Sequence, residues 1–171
     1  MKGAGVDLSE NLLNTETVPE EIRENYLRIR ENIEAAKAAA HRSDEVRIMA
    51  VTKTVDPGRI NFAVGLGVDL LGENRVQEFR EKFDFVHGGR RHFIGRLQTN
   101  KVKYLIGKTF LIHSVDRDEL ALQIARQSQK AGVISNVLIE VNIGCEESKG
   151  GYPLSEGYAA YERLFLLDME K

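Results

Sequence analysis

The strongest constraint on the fold is a regular alternation of short apolar segments and amphipathic segments from residue 46 onward. Five segments have the length and composition of β-strands: Arg47–Val51, Val68–Leu71, His92–Ile94, Phe110–His113 and Val137–Val141. Their starts lie about 18 to 27 residues apart and segments of helical period separate them, which is the spacing of βα units. This order predicts parallel strands joined by right-handed helical crossovers.

Two α/β architectures fit such an order, an open doubly wound sheet and a (β/α)8 barrel of the TIM type. A dinucleotide-binding sheet carries a glycine-rich turn after its first strand, but here no glycine follows that strand until Gly58. No phosphate-binding G-x-x-x-x-G-K sequence occurs either. We therefore predict a (β/α)8 barrel that is incomplete, because about five βα units are present where eight are needed.

A chain of 171 residues predicts one domain. Residues 1–16 lack any apolar period, so we expect a flexible N-terminal tail followed by a partial barrel domain over residues 17–171. Thr17 and Glu20 have the spacing of a capping box that starts the first helix. Asp116, together with Glu119, is expected to cap the fourth helix in the same way.

Composition excludes several classes of partner. The net charge of -2 gives no electrostatic reason to expect nucleic acid or an anionic membrane. The single cysteine, Cys145, forms no intramolecular disulfide and offers no zinc-ligand pattern, so we expect a reducing compartment and no metal site. The polar first residues do not resemble a signal peptide, and no apolar run is long enough to cross a bilayer. We expect a cytoplasmic protein.

The carboxyl ends of the predicted strands carry few polar residues, and function gathers at this face of a barrel. Lys53 directly follows the first strand, so its side chain starts from a largely apolar segment that is predicted to be buried. Burial of an ammonium is costly, and it lowers a lysine pKa toward the range that an imine-forming amine needs. The alternative is a lysine whose long stem carries its charge out to solvent. Spacing alone leaves both interpretations open.

Three further candidates, Asn74, His92 and Asn142, each have a simpler explanation. Asn74 precedes a periodic stretch and could cap a helix. Asn142 could be a turn residue ahead of Gly144. His92 lies inside a strand, where a hydrogen-bonded core histidine is the commoner case. These residues do not define a site one by one.

Several segments, taken in order, resemble the pyridoxal phosphate homeostasis family. They are Ala50–Thr54, the G-E-N-x-x-Q-E motif at Gly72–Glu78, the H-F-I-G-x-L-Q-x-N-K motif at His92–Lys101, His113–Asp116, Val141–Ile143 and Glu147–Gly150. The resemblance covers about residues 18 to 168. Its most specific motif is the one that begins at His92.

The resemblance implies a barrel like the N-terminal domain of alanine racemase and a role in intracellular pyridoxal 5'-phosphate (PLP) supply. It implies that PLP is held as an imine on Lys53, with Asn74, His92 and Asn142 near the cofactor. The cofactor would be the partner, with no nucleic acid and no membrane, and we expect the full-length form to be a monomer. Catalytic residues are not assigned, because we identify no second base opposite Lys53 and expect a carrier without robust turnover.

Two alternatives to the carrier remain, a PLP-dependent amino-acid racemase and a truncated remnant that does not bind the cofactor. Family members continue through three more strands, which carry the segments that hold the phosphate. We therefore expect this chain to bind PLP more weakly than a version extended by three βα units. We also expect the open strand edges of an incomplete barrel to favour association.

Overall fold

A computed structural model of the chain describes residues 8–169, with side chains described over residues 18–164. The helices are α1 (Leu8–Ala39), α2 (Pro57–Gly65), α3 (Val76–Lys82), α4 (Asp118–Ala131) and α5 (Gly157–Met169), with a 3₁₀ helix at Thr99–Tyr104. The strands are β1 (Met49–Val51), β2 (Leu70–Glu73), β3 (Arg90–Phe93), β4 (Leu111–Val115), β5 (Val137–Ile139), β6 (Val141–Asn142) and β7 (Tyr152–Pro153).

The main sheet has five parallel strands in chain order, β1-β2-β3-β4-β5. A doubly wound sheet reverses its strand order at a switch point, whereas a barrel adds each strand beside the previous one. The observed order therefore confirms the predicted α/β architecture as five consecutive units of an incomplete barrel. Register is set by pairs such as Val51 with Gly72 and Gly72 with His92.

The two faces of the sheet differ in what covers them. One face packs on the helices, where Leu71 joins Ile60 of α2 and Phe93 joins Phe79 of α3 in two buried apolar clusters. Side chains alternate along a strand, so Gly72 and His92, which pair with each other, lie on the opposite face. That second face corresponds to the interior of a barrel, and it carries the candidate site.

Most predicted elements are present with shifted ends. Asp56 caps α2, as the Asp-Pro sequence predicts, and its Oδ1 accepts a hydrogen bond from the Arg59 N–H at 3.0 Å. The predicted strand Val137–Val141 divides into β5 and β6, because its first half pairs with β4 and its second half pairs with β7. The short third helix is a 3₁₀ helix.

Two predicted helix starts are wrong. The first helix begins at Leu8 and runs through Pro19 instead of starting at the Thr17 capping box. Each residue that extends an existing helix adds one backbone hydrogen bond, and these bonds together offset the energetic cost of the interior Pro19. The cap residue of α4 is Arg117, because Asp116 is buried and its carboxylate binds arginine instead. Residues 1–7 of the predicted tail lie outside the described residues, and the division into tail and domain stays a prediction.

Over residues 8–169, no helix combines the length and the apolar character that crossing a membrane would require.

Candidate functional site

Lys53 lies on a turn just past the carboxyl end of β1. β1 ends two residues earlier, at Val51, which pairs with Gly72 on the barrel-interior face. Thr54 has a φ of 59°, a left-handed conformation that turns the chain away from the strand toward α2. The Lys53 side chain is exposed, so the expected burial of this lysine is not found. The described strands form an open sheet, and within them nothing covers Lys53 on this face.

A buried ionic cluster braces the backbone on both sides of Lys53 from the helix-facing side of the sheet. Lys82, in the last turn of α3, donates from Nζ to the Thr52 carbonyl at 2.7 Å. The same ammonium binds Glu73 Oε1 at 3.1 Å and Glu78 Oε2 at 3.0 Å. These three charged side chains are only 8 to 17% exposed. We call Lys82, Glu73 and Glu78 the brace.

The two carboxylates of the brace complete the hold on the turn. Glu78 Oε2 accepts the Thr54 N–H at 2.7 Å, and Glu73 Oε1 accepts the Thr52 hydroxyl at 2.7 Å. The hydrogen bond from Thr54, and then the Lys82 ammonium, hold the pKa of the Glu78 carboxyl below its usual range. The residues directly before and after Lys53 are therefore both fixed, while its own side chain is free to act.

His92 lies on the barrel-interior face of β3 and forms a pair with His113 of β4. Nδ1 of His92 lies 2.8 Å from Nε2 of His113, so one ring donates its N–H to the other. Burial lowers the pKa of both imidazoles, and for His92 the neighbouring His113 and Arg90 lower it further. Both rings are therefore mainly neutral at pH 7, and a neutral ring can donate through one nitrogen and accept through the other.

Four buried polar atoms near the carboxyl ends of the strands have no hydrogen-bond partner in the described part of the chain: Glu73 Oε2, Asn74 Oδ1, His92 Nε2 and Ser114 Oγ. Buried polar groups are normally satisfied, so each such atom calls for an explanation. Asn74 directly follows β2, whose Gly72 pairs with His92 of β3. A polar ligand near the carboxyl ends of β2 and β3 would supply partners for Asn74 and His92.

Asn142 is used within its own loop. Its Nδ2 donates to the Glu146 carbonyl at 2.9 Å, and its Oδ1 accepts the Glu146 N–H at 3.2 Å. This matches the turn interpretation that the sequence left open. Asn142 belongs to β6, outside the five-stranded sheet that carries Lys53, Asn74 and His92. The structure thus brings three of the four predicted residues to one sheet and leaves Asn142 in a neighbouring strand pair.

The sequence reasoning missed the brace and the partner of His92. Glu78 and Lys82 have the i, i+4 spacing of a helical ion pair, which is a visible signal. Their contacts with Thr52 and Thr54 span 24 to 30 residues, and no pattern in the sequence indicates them. His113 belongs to one of the motifs named above, but the motif alone does not indicate a role for it in the site.

Comparison with known proteins now identifies the family. Residues 25–169 match the family model of the alanine racemase N-terminal domain. The chain belongs to this family. Among curated proteins it is similar to the pyridoxal phosphate homeostasis protein of Aquifex aeolicus, with 46% identity over 131 residues, which are 75% of this chain and 58% of that protein. The protein of the same name from Escherichia coli K12 is 35% identical over 142 residues, or 80% and 61% of the two chains.

Solved structures agree with this family assignment. An uncharacterised protein from Bifidobacterium adolescentis aligns with a TM-score of 0.77 and 32% identity over 86% of this chain and 65% of that one. PipY of Synechococcus elongatus with PLP bound aligns with a TM-score of 0.62 and 26% identity over 78% of this chain and 64% of that one. The chain spans about three fifths of the length of the curated relatives, 58% and 61% for the two named above. The resemblance that the sequence motifs indicated is confirmed.

Proposed function

We propose that this chain binds PLP and takes part in intracellular PLP homeostasis, and that it holds the cofactor as an imine on Lys53. The observation that carries the proposal is the position of Lys53 at the carboxyl end of β1, between two residues that the brace fixes. Relatives named pyridoxal phosphate homeostasis protein and the PLP-bound PipY support the choice of cofactor.

The residues present suit such a ligand. PLP supplies an aldehyde that reacts reversibly with an amine, and Lys53 offers an exposed amine whose backbone is fixed. Asn74 Oδ1 and His92 Nε2 are buried and have no hydrogen-bond partner among the described residues, and they are suited to the polar groups of the pyridine ring. His92 would act as a neutral ring held in orientation by His113.

Asn142 is proposed to approach the cofactor only from the edge of the site, since its amide is bonded to Glu146. We also propose a cytoplasmic location, supported by the single unpaired Cys145, which suits a reducing compartment. A monomeric full-length form and the lack of a nucleic-acid partner are proposed with it, the latter because the net charge is -2.

The test is to load the purified chain with PLP, reduce it with borohydride and map the labelled peptide by mass spectrometry. We expect the pyridoxyl group mainly on Lys53, and we expect Lys53→Ala to lose both the adduct and the violet absorbance of the bound cofactor. Lys149→Ala is the matched control, because Lys149 is also exposed and lies beside glycines in a loop. An adduct found mainly on Lys149 or Lys101 would refute the assignment.

A further inference from the structure

A cleft of about 810 Å³, which has Asn74 in common with the proposed PLP site, opens beside the carboxyl ends of β2, β3 and β4. Its walls come from the segment after β2, from the loop and 3₁₀ helix after β3, and from Arg117 after β4. Lys53 is not among the residues that line it. The volume lies within the range of small-molecule sites, and the carboxyl ends of parallel strands are where such sites form.

The cleft is strongly cationic although the chain as a whole carries a net charge of -2. Four basic side chains line it and no carboxylate does: Arg75, Arg96, Lys101 and Arg117. Lys101 is half-buried and has no ion pair among the described residues. Five uncharged polar side chains also line the cleft: Asn74, Gln77, Gln98, Thr99 and Asn100. Such a lining attracts an anion that also accepts hydrogen bonds.

A buried carboxylate orients two of the guanidinium groups. Asp116 is 4% exposed in its side chain, and it binds both Arg117 and, at 3.7 Å, Arg96. Arg117 also donates from Nη2 to the Leu97 carbonyl at 3.3 Å. Because one carboxylate balances two guanidinium groups, a positive charge remains at this point in addition to that of Lys101. The guanidinium fork matches the geometry of a phosphate group.

The backbone segments that form the cleft are fixed relative to each other. Gly95 lies against Asn74 so tightly that an added Cβ would come within 2.2 Å of the Asn74 carbonyl oxygen. The loop after β3 is therefore pressed onto the end of β2. Phe93 and Leu97 also line the cleft, but both are almost completely buried and offer a ligand little surface. A fixed backbone that carries basic side chains suits the binding of a small anionic group.

We propose that this cleft is an anion site that binds the phosphate group of a small phosphorylated molecule, separately from the amine of Lys53. Arg96 and Lys101 contact the phosphate, and Arg117 is held beside it by Asp116. Free phosphate and an organic phosphate share the charged group, and they differ in whether the rest of the molecule adds contacts.

The test uses the ¹⁵N-labelled 171-residue chain without PLP, titrated at constant ionic strength with inorganic phosphate, with glycerol 3-phosphate and with chloride. We expect both phosphates to shift the amide signals of residues 95–101 and 117, and chloride to leave them in place. Arg96→Ala combined with Lys101→Ala should weaken binding by about tenfold or more, since a charge-assisted hydrogen bond is worth at least one power of ten.

Two controls keep this result distinct from the PLP proposal. Arg59→Ala combined with Lys130→Ala removes two exposed cations far from the cleft and should leave the affinity unchanged. Lys53→Ala should also leave it unchanged, whatever its effect on PLP. Tighter binding of glycerol 3-phosphate than of inorganic phosphate supports contacts between its hydroxyl groups and the uncharged polar side chains of the cleft. Equal shifts with chloride, loss of binding in Lys53→Ala, or no loss in the Arg96/Lys101 variant would each overturn the proposal.

Discussion

Replacement of Lys82 by methionine tests whether the brace determines the geometry around Lys53. Methionine keeps most of the length and volume of the side chain and removes the charge. The change leaves Glu73 and Glu78 buried without their shared cation, and Glu73 Oε2 already lacks a partner in the described part of the chain. Removing one partner of a buried ion pair lowers the free energy of unfolding by about 3–5 kcal/mol. Because the three side chains are still 8 to 17% exposed, we expect a loss at the low end of this range, about 3 kcal/mol.

The assay is urea unfolding of the wild type, Lys82→Met and the control Lys130→Met. Lys130 is exposed near the end of α4, and its replacement should change the free energy of unfolding by less than about 0.5 kcal/mol. Lys82→Arg keeps the charge and should recover part of the loss. If Lys82→Met costs less than about 1 kcal/mol, the brace contributes little, and the reasoning from burial is refuted.

A second readout separates positioning from simple stability. The Thr54 N–H donates to Glu78, so its exchange with solvent should be slow in the wild type. Loss of Lys82 frees Glu78 to move, and we expect faster exchange at Thr54 under conditions where both proteins stay folded. Unchanged exchange at Thr54 would mean that Glu78 holds the turn without help from Lys82.

Two other features give predictions. Burial holds the pKa of His92 and His113 below the ordinary 6.5. As the pH falls, these histidines therefore bind protons in the unfolded chain before they do so in the folded chain. The free energy of unfolding should accordingly decrease as the pH is lowered through about 6.5. Urea unfolding between about pH 7.5 and 5.5 measures how steeply the free energy of unfolding changes with pH, and His113→Gln should make this change smaller. An equal pH dependence in the variant would contradict the conclusion that the two histidines cause it. Gly95→Ala forces a contact with the Asn74 backbone and should cost about 1–3 kcal/mol in thermal or urea unfolding. Gly65→Ala, in α2 with open space around it, should be neutral or slightly stabilising, and a similar cost there would refute the steric argument.

The order of the elements could be predicted from the sequence because it depends on local patterns. Apolar runs of strand length are visible without tertiary information, and so is the cap at Asp56. Strand ends were less accurate, since a strand ends where its partner ends: β5 and β6 separate at Glu140 because the neighbouring strand changes there. The start of α1 was wrong because a capping box can also occur inside a longer helix.

The candidate site could be predicted only in part, because motifs name residues but do not give their contacts. The strand-end rule indicated Lys53 and Asn74, which follow the paired strands β1 and β2. The burial expected for Lys53 was not found, since Lys53 lies on an exposed turn past the end of β1. Contacts such as Lys82 with Thr52 require β1, β2 and α3 to be assembled before they exist.

The position of the brace has a consequence for how this site is built. Thr52 is buried on the helix-facing side of the sheet, whereas Lys53, the next residue, is exposed. The helix-facing side holds the backbone through Glu73 of β2 and Lys82 of α3. The geometry of the Lys53 backbone is therefore set by contacts that involve neither Asn74 nor His92. In the proposed PLP site, we therefore expect changes at Asn74 or His92 to alter the affinity for the cofactor, and changes at Lys82 to alter the geometry of the Lys53 backbone.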